Sequence, residues 1–319
     1  MKTIYGFGFL VITFCFIFVF IPFTKAEELK NFPYTFSITG QTGFLYGYSE
    51  EIVYKDSNSD VYLSELLWDI KPLFYAGFNL NFSRINPMEK LGFFADLSLK
   101  FGIPNETGTM VDRDWVSGNG LTNFSSHKNF TQGAFILDFS SGVSAPVFSR
   151  FVFSAYLSFS YMYFSWASYD GYIKYESNDW EEKDVYGPVI NYIQKWFVLA
   201  PGMALSFPFF RIFSVGLAFQ ISPLIICMAE DQHFSRRIEF NDFTMGGMFL
   251  EPKGEFVFSP LPKLNFAFSV GYRYIADSRG DTYSRNTGLD VSGDFSRNIG
   301  TAGAGFRAFD IGLSVRIHF

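Results

Sequence analysis

Histidine and cysteine are scarce in this chain, at three and two residues of 319. So few histidines make a zinc centre improbable, since such sites draw mainly on His and Cys. The two cysteines are Cys15 and Cys227. Cys15 falls in a leader segment, so an intramolecular disulfide is excluded from the remaining chain, which must be held by packing or strand pairing. Basic residues are in deficit as well: 25 Lys and Arg against 31 Asp and Glu give a net charge of −6. That balance excludes the basic footprint of a nucleic-acid binder. After the leader there is no long apolar run, and without one no helix can cross a membrane.

The leader itself reads as a targeting signal. Lys2 supplies a positive end, residues 4–23 are uncharged and almost wholly apolar, and Thr24-Lys25-Ala26 ends in a small residue suited to cleavage. The expected division is therefore a signal peptide over 1–26 and a single folded unit over 27–319.

What the chain does have is aromatic side chains, 21% of all residues with 43 Phe and 18 Tyr, alongside 18% charged residues. A water-soluble fold of this length could hardly bury so much Phe. Facing the aromatics to lipid resolves the conflict, and a closed β-barrel then satisfies every backbone group in hydrocarbon. Alternation with period two supports this. Leu264, Phe266, Phe268, Val270, Tyr272 and Tyr274 form one face of a strand, and Asn265, Ala267, Ser269, Gly271 and Arg273 the other. Phe151 to Tyr163 alternates likewise, and Ile311, Leu313, Val315, Ile317 and Phe319 alternate to the carboxyl end. A terminal aromatic on such a strand resembles the recognition signal of outer-membrane barrels.

Short, turn-rich joints fall near 84–89, 141–149, 207–211 and 259–263, and longer polar stretches at 46–64, 104–131, 165–188, 230–247 and 276–302. Four short turns and five long loops imply an all-β, ten-stranded antiparallel transmembrane β-barrel with long extracellular loops.

Function has to come from polar residues near the long loops. Met110-Val111-Asp112-Arg113-Asp114-Trp115 places two carboxylates two positions apart, on one face of an extended chain. Asp231-Gln232-His233 does the same for a carboxylate and an imidazole. Either pair alone is commonplace in a surface loop. Together, across a barrel mouth, they could position and deprotonate a water, as peptide hydrolysis needs when neither metal nor covalent nucleophile takes part.

At these residues the sequence resembles the omptin family of outer-membrane proteases, ten-stranded barrels with an extracellular active-site cleft. The Met-Val-Asp-x-Asp-Trp signature of that family is present unchanged at Met110 to Trp115, and its Asp-x-His-aromatic pattern at Asp231, His233 and Phe234. Weaker agreement includes Glu51-Ile52-Val53-Tyr54, Ser64, Leu67, Trp68 and Ile190 to Gln194. The resemblance implies an aspartic-type endopeptidase of the outer membrane, its active site facing the exterior, acting on exposed polypeptides near basic residues. Asp112, Asp114, Asp231 and His233 become the catalytic set, with His233 the base and Asp231 its orienting partner. Glu51 becomes a substrate-binding residue, and no cofactor or metal is implied. The competing reading is a non-enzymatic barrel acting as adhesin or pore.

Two departures qualify the resemblance. Omptins bind a basic substrate side chain with a second acid two positions before the catalytic Asp of the Asp-x-His pair, and here that position is Ala229. Glu230 is adjacent, but strand alternation aims it away from the cleft, so a weakened basic preference is expected. A further acidic subsite residue falls near Asn129. Omptins also bind lipopolysaccharide through Tyr, Glu and Arg on one outer strand face. That strand here reads Tyr161, Tyr163 and Ser165, with Lys195 nearby, so the resemblance stops short of implying a lipopolysaccharide requirement.

Overall fold

The computed structural model describes residues 34–86, 91–116, 120–147, 151–287 and 295–319. The signal-peptide expectation for 1–26, and parts of the joints at 84–89 and 141–149, lie outside these residues. Thirteen strand segments follow in order: β1 (Tyr34–Tyr54), β2 (Tyr62–Asn86), β3 (Leu91–Gly102), β4 (Asn105–Asp114), β5 (Asn123–Val147), β6 (Phe151–Tyr175), β7 (Lys183–Phe210), β8 (Phe213–Ser222), β9 (Ile225–His233), β10 (Ile238–Met245), β11 (Met248–Leu261), β12 (Leu264–Asn286) and β13 (Ser296–His318).

The thirteen segments make ten barrel staves. Three staves are interrupted: β3 and β4 share the neighbours β2 and β5, β8 and β9 both pair β7, and β10 and β11 both pair β12. Two of the breaks contain a proline, Pro104 and Pro223, which cannot donate to a ladder. The third is Gly246-Gly247, with φ of 86° and 100°, a region side chains disfavour. All pairings are antiparallel, and β1 closes the ring on β13 from Ser37 opposite His318 to Val53 opposite Ala302.

Alternation sets the facing as the sequence indicates. Phe266, Phe268, Val270, Leu313, Val315 and Ile317 are exposed on the outside, where lipid would cover them, while Gly271, Arg273 and Gly312 are buried within. Tyr46, Tyr163, Tyr272 and Tyr274 mark the upper edge of this apolar band, where an aromatic girdle belongs.

The staves continue well past that edge. A crossing takes roughly 9–11 residues, whereas β7 runs for 28. The polar stretches read as loops are therefore mostly strand, and the true connections shrink to 55–61, 115–122, 176–182, 234–237 and 287–295. Above lipid both faces of a strand meet water or polar neighbours, so hydrophobic alternation disappears while the ladder persists.

The lumen is filled. Trp68, Trp166, Tyr192, Phe164 and Phe306 are at most 1% exposed. Trp68 and Tyr192 stack at 5.1 Å and 14°, and Phe164 and Trp166 at 5.4 Å and 9°. Not all aromatics face lipid, as composition suggested; this group forms a floor across the barrel. Beneath it, Arg273 of β12 reaches Asp138 of β5 at 3.2 Å and Glu251 at 2.8 Å, and Lys100 of β3 pairs with Asp310 of β13.

Candidate active site

Above the aromatic floor, inward positions at the loop end converge. Asp112 and Asp114 sit on β4 opposite Leu66 and Ser64 of β2, and Asp231 and His233 on β9 opposite Tyr192 and Ile190 of β7. All four are on strands rather than in loops, which fixes their direction. Ser64 Oγ donates to Asp112 Oδ1 at 3.3 Å, and Asn123 Nδ2 to Asp114 Oδ2 at 3.1 Å. Arg113, between the two, points outward and pairs with Glu65 at 2.7 Å.

Asp231 Oδ2 lies 2.7 Å from His233 Nε2. An Nε2–H donated to this carboxylate leaves Nδ1 as the ring nitrogen able to accept a proton. The imidazole also meets Phe240 edge-on at 5.5 Å. Both side chains are nearly buried, at 11% and 4% exposure.

The electrostatics tie the two pairs together. Burial pushes the Asp112 carboxyl up to about 7, and the charge of Asp114 adds to the rise; His233, Arg236 and the Ser64 hydroxyl offset it. Glu51 on β1 is held well above the usual carboxylate range, first by burial and then by the charges of Asp231, Asp242 and Asp112. These groups stand beyond the girdle, outside the membrane-spanning segments. Glu51, Asp112, Asp114, Asp231 and His233 thus lie together at one mouth, drawn from β1, β4 and β9.

A model of the omptin family matches residues 32–319. The chain belongs to the omptin family. Among solved structures, outer membrane protease OmpT from Escherichia coli matches with a TM-score of 0.80 at 17% identity, over 92% of this chain and 99% of that one. Neisserial surface protein A gives 0.31 at 9% identity, over 89% and 97%. The Pseudomonas putida toluene transporter TodX gives 0.34 at 10% identity, over 90% of each. No curated protein matches. Omptin membership and the barrel together support an outer-membrane protease.

The departures from the omptin pattern have visible settings. Glu230 faces outward and pairs with Lys195 at 2.5 Å, so neither is turned to the cleft. Asn129 is fully buried and donates to the Asp69 carbonyl at 2.8 Å and to Thr107 Oγ1 at 3.3 Å, which ties it to the break between β3 and β4. Cys227, 1% exposed, packs in the core. His127 Nδ1 donates to the Asp170 carbonyl at 2.8 Å, and His318 lies beside Asn265 at the far end of the barrel. One site residue escaped the sequence reading altogether: Asp242 on β10, opposite Ala229.

Proposed function

We propose that this omptin is an outer-membrane endopeptidase whose cleft faces the exterior and cuts exposed polypeptides beside basic residues. The observation that carries the reading is the 2.7 Å Asp231–His233 contact at the same mouth as an Asp112 carboxyl raised to about 7. His233 takes a proton from a water held between it and the Asp112–Asp114 pair. The resulting hydroxide attacks the peptide carbonyl, and the imidazolium returns the proton to the departing amine. Asp231 orients the ring and balances its charge. The apolar floor beneath excludes bulk water from the attacked bond and strengthens each of these interactions.

The adhesin or pore reading is weaker. Ion pairs and stacked aromatics cross the lumen where a pore would need water. Residues 1–26 act in this reading as a cleaved export signal. The test is digestion of a random peptide library by the refolded barrel, with cut sites read by mass spectrometry. Cuts clustered beside Arg and Lys are expected; a properly folded barrel that cuts nothing would sink the proposal.

A further inference from the structure

Three carboxylates in the cleft each keep one oxygen without a donor, and among the described residues none has a Lys or Arg beside it. Glu51 Oε2, Asp231 Oδ1 and Asp242 Oδ1 are each buried without a hydrogen-bonding partner. Among the described residues no Lys or Arg forms an ion pair with any of them. Lower in the lumen, Asp138 and Glu251 meet Arg273, Asp310 meets Lys100, and Asp96 accepts from Asn79 and Asn81. The cleft acids have neither a base nor such amide donors on these oxygens, and a cation would compensate them.

The register says where that cation would sit. Asp242 is the direct cross-strand partner of Ala229 on β9 and of Thr282 on β12, so it enters the lumen beside the small Ala229 side chain. Glu51 comes from β1, three staves further round, past β12 and β13. Between them β13 presents only Ala302 and Ala304 at the matching levels, opposite Val53 and Glu51. Small residues on that wall leave room for a long side chain to pass. Asp231 is already held by His233 and lies within hydrogen-bonding reach of Glu51, so Glu51 and Asp242 are the two left to flank the entrant.

We propose that Asp242 and Glu51 together bind the basic side chain of the substrate, Asp242 supplying from β10 the carboxylate that Ala229 does not supply from β9. The inference rests on the peptidase reading and names its specificity residue. A guanidinium or ammonium between two carboxylates regains the pairing that either acid alone would give only in part. The basic preference is then strong rather than weakened, and Ala229→Asp adds a third acid to a filled site instead of repairing a defect.

The test measures binding so that it does not depend on turnover. Fluorescent peptides identical except for Arg or citrulline at one position are titrated against the full-length refolded barrel carrying His233→Ala. Barrel assembly is checked by heat-modifiable electrophoretic mobility. The Arg peptide is expected to bind at least about tenfold more tightly than the citrulline peptide. Asp242→Asn should collapse that ratio, and Ala229→Asp added to Asp242→Ser should restore it. An unchanged ratio in Asp242→Asn overturns the proposal, as does equal binding of the two peptides in the parent. If calcium or zinc alone binds and the peptides do not differ, the site is a metal site and the proposal also fails. Failure of the peptidase reading is separate, since it would appear as absent cleavage by the unmutated barrel with the Arg preference intact.

Discussion

At the scale of single residues, the cleft is a set of ionisable groups whose spacing matters more than their number. In the proposed mechanism, removing His233 takes away the base and removing Asp112 takes away the group opposite it. Either alanine variant should lower kcat/KM by about two to four orders of magnitude while still assembling, because neither side chain is part of the apolar packing. Peptide cleavage alongside electrophoretic mobility checks both halves of that statement. Asp112 gives a finer test. In the proposed mechanism its carboxylate holds the water, and burial raises it to about 7, so activity should be full above that value and fall as the pH drops through it. The Ser64 hydroxyl stabilises the ionised form. Ser64→Ala should therefore raise the Asp112 pKa further and move the acid limb of the pH–rate profile to higher pH. A limb that stays in place would assign it to another group. The Asp112, Asp114, Asp231 and His233 set was legible in the sequence because each pair repeats the two-residue period of a strand and so shares a face. Asp242 was not, since it is linked to Ala229 only through strand pairing. A turn of unknown length between them hides which residues end up opposite.

At the scale of elements, the strands hold the site because they keep pairing beyond the lipid. The facing of β6, β12 and β13 could be read directly from their alternation. The upper halves of β2, β5, β6 and β7 could not, because water on the outside removes the apolar signature while the ladder needs none. The broken staves were likewise hidden, Pro104 standing at the edge of a stretch read as loop and Pro223 between the turn at 207–211 and the loop at 230–247. Packing of the upper strands depends on the stack of Trp68, Trp166 and Tyr192, which joins β2, β6 and β7. Trp68 is fully buried. Trp68→Ala should destabilise the barrel by about 3–5 kcal/mol through the cavity it leaves. Urea unfolding in detergent micelles, followed by tryptophan fluorescence, measures this, and a loss under about 1 kcal/mol would show that the floor collapses to fill the space.

At the scale of the whole molecule, an even number of staves puts the short turns and both chain ends on one side and the longer connections on the other. A thiol placed at Glu181, in the connection from β6 to β7, should react with a membrane-impermeant reagent on intact cells. One placed at Pro262, in the turn from β11 to β12, should react only after permeabilisation. Cys227 is too buried to contribute background. The reverse pattern would mean that the cleft faces the periplasm. Because ion pairs and aromatics cross the lumen, the reconstituted barrel should also carry no steady ionic current in a planar bilayer. Barrel class and stave number were accessible from composition and spacing; the filled lumen was not, since inward aromatics look the same in sequence as outward ones.

Closure of β1 on β13 has a further bearing on how such an enzyme comes into being. Glu51 belongs to the first stave, Asp112 to the third, and Asp231, His233 and Asp242 to the seventh and eighth. No contiguous fragment short of most of the chain contains them all, and they meet only when the last strand has found the first. If the proposed site is the working one, nascent copies waiting to be inserted carry every reactive group yet no working arrangement of them. Latency is built into topology, and the seam does for this protein what a removable pro-segment does for a secreted zymogen: it keeps the blade sheathed until the molecule has reached its place.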